Sequence, residues 1–122
     1  MCGRLPVGKG NFHVASLVKK ENAVGGLADL LKEKDAGLRV YAVRALGRIG
    51  SVEARHALRQ VLEARAATLA EMSYALQSLG SIGRAEDLPA IEAFAKRTKI
   101  RLLVDKAGAA MSLIRKSTVL HQ

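Results

Sequence analysis

Ala45-Leu46-Gly47-Arg48-Ile49-Gly50 and Ser78-Leu79-Gly80-Ser81-Ile82-Gly83 share the pattern Leu-Gly-x-Ile-Gly and lie 33 residues apart. The same offset carries Tyr41 onto Tyr74, Ala42 onto Ala75, Ala57 onto Ala90, Leu58 onto Ile91 and Val61 onto Phe94. Because the matches continue past the glycines, the repeating unit is a pair of elements rather than a loop. A period of this length is the mark of stacked repeats.

Working outward, the pair is helical. Leu38, Ala42, Ala45, Leu46 and Ile49 recur at helical spacing, and so do Ala54, Leu58, Val61 and Leu62. Asp35, Ser51 and Thr68 stand where N-caps are needed, with Glu71 completing a capping box, and Asn22 offers another cap. Asp87 followed by Pro89 starts a further helix, since proline is tolerated in a first turn. Thr98 opens a last one running to about Lys116, with Ile100, Leu103, Ala107, Ala110 and Ile114 as its apolar stripe. Ala23, Leu27, Leu30 and Leu31 repeat the second-helix pattern as a leading half unit. At an offset of 67, Arg39, Ala42, Val43 and Leu46 fall on Lys106, Ala109, Ala110 and Leu113, a third unit without the turn glycines. Degenerate ends suit a stack whose terminal units must cover its core.

The glycines read as mechanical parts. Gly50 and Gly83 are expected to end the first helix of each pair in the left-handed conformation glycine accepts. Gly47 and Gly80, one turn earlier, would let neighbouring helices approach. Neither segment follows a strand or opens a helix, as a nucleotide-binding loop would.

The run Asp35-Ala36-Gly37-Leu38-Arg39, then Ala42, Ala45 to Gly50, Glu53-Ala54 and Leu58 closely resembles HEAT-like repeats of the phycobilin-lyase type. The resemblance covers about residues 22–116. It implies an all-α fold, a short HEAT-like α-solenoid of antiparallel helix pairs whose second helices line a concave surface. It also implies structural roles for Asp35, as a cap, and Arg39, as a bridge between units. Residues 1–21 then form a basic, Gly-containing arm or short first helix, and residues 117–122 a tail. Proteins with such repeats serve as scaffolds, DNA glycosylases, chromophore lyases and a di-iron hydroxylase, so the fold does not choose the function.

Composition narrows the classes. The chain has 122 residues, 49% of them hydrophobic, with no Trp and 3% aromatic residues, so an aliphatic core of close-packed helices is expected. No apolar run approaches the roughly 18 residues of a membrane span, so no membrane partner is expected. A lone Cys2 fits a reducing, cytoplasmic setting. The acid-free basic stretch before Glu21 leaves organelle targeting as the alternative, although Gly3, Pro6, Gly8 and Gly10 break a targeting helix.

No catalytic or metal constellation is found. His13, His56 and His121 lie far apart, and none precedes a Glu as in the iron-binding pairs of HEAT-like hydroxylases. Cys2 has no neighbouring base. Glu86-Asp87 reads as helix N-terminal charge. Chromophore lyases with such repeats are longer or two-subunit assemblies, so an accessory lyase subunit ranks last. No cofactor is expected.

The net charge of +9 points to binding. Residues 1–50 hold nine Lys/Arg against four acids, residues 51–95 four against six, and residues 96–122 seven against one. Arg55 and Arg59, one turn apart on a second helix, would look into the groove; Arg44 and Arg48 make a similar pair on the outer side. Lys96, Arg97, Lys99 and Arg101 cross the last turn, with Lys106, Arg115 and Lys116 beyond it. Two functions follow. The first is a non-catalytic module binding an acidic or extended protein partner on its concave face, with homodimerisation through its open ends as a variant. The second is sequence-independent contact with DNA or RNA backbone.

Overall fold

The computed structural model describes residues 23–120. Asn22, the N-terminal arm, Cys2, His13 and His121 lie outside the described residues. Among the described residues six helices follow in order: α1 (Ala23–Leu30), α2 (Ala36–Ile49), α3 (Val52–Glu63), α4 (Leu69–Ile82), α5 (Leu88–Arg97) and α6 (Arg101–Leu120). A single 3-10 turn, Ala85–Asp87, leads into α5. There is no strand among the described residues. Both ends of α2 and α4 differ by the 33 residues of the sequence repeat.

The helices form two layers. α2, α4 and α6 stack as first helices of successive units, while α1, α3 and α5 stack as second helices behind them. α1 is therefore the second helix of a leading half unit, as the Ala23–Leu31 pattern predicts. The core lies between the layers: Leu27, Leu46, Leu58, Leu76, Leu79 and Ile91 are fully buried. Each such side chain contributes about 1.5–3 kcal/mol of burial. Alanines at 42, 54, 75 and 107, also fully buried, let the layers close around them.

Local signals set the helix boundaries. Asp35 Oδ1 accepts from Gly37 N–H at 2.7 Å, Ser51 Oγ from Ala54 N–H at 3.1 Å, and Thr68 with Glu71 closes a capping box. Gly50 ends α2 at φ 68°, in the left-handed region expected of it. Gly83 differs: its φ is −68°, so chirality does not demand glycine there. A Cβ at Gly83 would instead run into Leu79 O and lie 2.7 Å from Ile114 Cδ1 on α6. Gly47 is pressed against Ser78 on α4, and Gly80 would place a Cβ 3.2 Å from the backbone of Ala110 on α6. Absent side chains thus let the first helices touch almost backbone to backbone.

The last helix departs from expectation at both ends. Thr98 caps the C-terminus of α5, α6 begins at Arg101, and the helix continues past Lys116 to Leu120. One repeat after Gly80 the chain has Leu113, which is half-exposed because no further first helix presses on it among the described residues.

Candidate interaction surface

The two arginines expected to face the groove turn to one internal carboxylate. Arg55 is 5% exposed, and its Nη1 donates to Asp87 Oδ2 at 2.9 Å; Arg59 Nη1 holds the other carboxylate oxygen. Asp87 is fully buried and also accepts from Arg84 N–H at 2.8 Å. Burial would push its carboxyl up, but the Arg84 N–H and the two guanidiniums outweigh this and hold it below the ordinary range. Arg55 therefore leaves the set of partner-binding candidates. Arg59, partly buried on the same carboxylate, serves first as a structural contact. Asp87 is not a simple N-cap of α5 either, because its side chain faces back to Arg84 and across to α3.

A second bolt joins the first helices. Arg39 Nε donates to Glu71 Oε2 at 3.0 Å, and its Nη1 donates to the Glu33 and Lys34 carbonyls just past α1. Glu71 Oε1 simultaneously accepts from Thr68 N–H at 2.9 Å. Burial alone would raise the Glu71 carboxyl, yet Arg39 and Thr68 lower it. Each following unit thus places an acid at a helix N-terminus, and an arginine 32 residues earlier reaches it: Arg39 to Glu71, Arg55 to Asp87. The resemblance implied a bridge for Arg39, but its partner Glu71 and the parallel pairing of Arg55 with Asp87 were not read from the sequence. An arginine and an acid separated by one repeat less one residue, with the acid in a first turn, is the signal that would have found it.

The C-terminal cations form two groups. Arg97 donates to Leu62 O at 2.9 Å and lies over Phe94, tying α5 to α3, and Arg101 pairs with Asp105. Lys96 and Lys99 are exposed near the α5–α6 turn. Arg115 and Lys116, also exposed, stand at the other end of α6, about 20 Å from Arg101 at 1.5 Å per residue. Lys106 is half-buried between them. The sequence cluster is therefore not one patch.

On the first-helix layer, Arg44 lies over the Tyr74 ring with its guanidinium 5.0 Å from the centroid. Arg48 and Arg84 make no ion pair among the described residues. His56 is exposed, with Nδ1 3.4 Å from Arg59 Nη2. Among the described residues no three His, Cys, Asp or Glu side chains come together as a metal site, and no helix is long and apolar enough to cross a membrane.

The family model of the PBS lyase HEAT-like repeat matches residues 38–64, which is α2 from Leu38 onward together with the whole of α3. The chain carries a HEAT-like repeat. No curated protein and no solved structure matches it. Within this HEAT-like chain the matched unit contributes both arginines, Arg39 and Arg55, that bolt it to the unit after it.

Proposed function

We propose that this HEAT-like repeat protein is a non-catalytic interaction module that takes an acidic protein partner. The observation supporting this is what remains after internal pairing. Arg39, Arg55, Arg59 and Arg101 are matched to carboxylates, while Arg48, Arg84, Lys96, Lys99, Arg115 and Lys116 stay exposed and have no ion pair among the described residues. Like charges held in the open repel one another, a cost that an acidic partner would relieve. With Arg55 and Arg59 occupied, the partner face belongs to the first-helix layer rather than to the second helices.

Contact with nucleic-acid backbone would draw on the same cations. Affinity capture from the native source, with and without nuclease, separates the two: a partner retained after nuclease is expected, and one lost with nucleic acid would overturn the proposal. Pairing of two copies through α6 is less favoured. Leu102 and Leu113 are half-exposed there, but Lys106 and Lys116 share their helix face and would meet like charge. Sedimentation showing a dimer at low salt would reverse that ranking.

A further inference from the structure

A trough runs along the first-helix layer beside the repeat glycines. Two adjoining hollows, about 200 and 600 Å³, share Arg48 and Ser81. The smaller runs between α2 and α4 past Arg44, Gly47, Tyr74 and Gln77. The larger continues to Gly50, Gly83, Arg84 and Thr118 at the far rim. Arg44, Arg48 and Arg84 are the cations among the trough's lining residues.

The charge around it is one-sided. The acids within α2, α4 and α6 are Glu71, buried on Arg39, and Asp105, paired with Arg101. On the second helices, by contrast, Asp29, Glu53, Glu63 and Glu92 are exposed. Glu86 lines the trough, and Arg55 stands 3.7 Å from its carboxylate.

We infer that this trough is the docking site for an extended acidic peptide segment, with Arg44, Arg48 and Arg84 as its carboxylate-binding residues. The inference rests on the reading of the chain as a module for acidic partners and gives that reading a place. Arg44 and Arg48 are one helical turn apart, about 5–6 Å between Cβ atoms. Alternate side chains of an extended strand repeat at about 6.6 Å, so successive acids on one edge meet successive arginines. Guanidinium forks match carboxylates in two-point contacts, and Ser81 and Gln77 offer hydrogen bonds between them. Nucleic acid fits less well. Arg44 already covers a face of Tyr74 on which a base would stack, Glu86 would face phosphate, and three arginines release few counterions.

A fluorescein-labelled peptide alternating Glu with Thr, whose β-branched residues favour an extended strand, tests this by fluorescence polarisation at low ionic strength. Arg48→Glu and Arg84→Glu are each expected to weaken binding about tenfold or more, as loss of a charge-assisted contact does. Lys96→Glu/Lys99→Glu is expected to change it by about twofold or less. Unchanged thermal melts would show the variants folded. Binding indifferent to Arg48 and Arg84 but lost with Lys96 and Lys99 overturns the trough and leaves the acidic-partner reading standing. A wild-type chain that ignores the peptide yet binds duplex DNA through Arg48 overturns the peptide occupant. Binding to neither overturns both.

Discussion

α2 and α3 each carry two arginines one turn apart, Arg44 with Arg48 and Arg55 with Arg59, and the two pairs meet opposite fates. The α3 pair closes on the buried Asp87, Arg55 fully and Arg59 from a partly exposed position. The α2 pair meets Tyr74, Gln77, Ser78 and Ser81 on the next first helix and keeps its charge available. Spacing on the helix is the same in both. What differs is the residue that the following unit presents, an acid in one layer and hydroxyls and an amide in the other. Cationic spacing alone does not identify a binding face in a repeat protein; the partner layer must be known.

The strongest way to break this contrast is Asp87→Ala. It leaves the buried Arg55 with only the exposed Glu86 carboxylate, 3.7 Å away, and a loss of about 3 kcal/mol is expected in chemical denaturation. A loss under 1 kcal/mol would mean that Arg55 reaches water and is no bolt. Glu71→Ala, which removes the capping box together with the Arg39 contact, is expected to cost about 2 kcal/mol by the same measurement.

Acid titration tests both carboxylates at once. Their folded values lie below the ordinary range near pH 4, so between the two the unfolded chain binds more protons than the folded one. Their stabilisation is complete above about pH 5 and is lost as the pH falls through the depressed folded values. Urea midpoints should drop below about pH 4, with a shallower slope in Asp87→Asn. A slope unchanged by that substitution would remove Asp87 from the account.

Ser81→Asp would convert the exposed pair toward the buried kind by placing an acid in the trough that Arg48 lines. Stability should rise by no more than about 1 kcal/mol, while peptide binding falls. The smallest effect is Arg48→Ala, expected within about 0.5 kcal/mol of wild type because nothing folded depends on it. A larger destabilisation would show that the α2 pair is structural too.

Much of the fold was legible because its causes are local. The 33-residue offset reproduced the bounds of α2 and α4, and Asp35, Ser51 and Thr68 cap where they were expected to. Gly83 was misread because a glycine needed for close approach is spelled the same as one needed for left-handed backbone. Asp87 was misread because an acid in a first turn satisfies a local rule whether or not an arginine from the preceding unit arrives. The C-terminal basic cluster was contiguous in sequence, yet a long helix carries its ends to opposite rims.

Helix periodicity, caps and repeat length were therefore decided in the chain itself, since each depends on residues within a few positions of one another. Which arginines are consumed and which stay free was decided only by stacking. An ion pair across 32 residues exists when two units settle at one particular rotation and spacing, and the sequence of either unit alone does not contain that geometry.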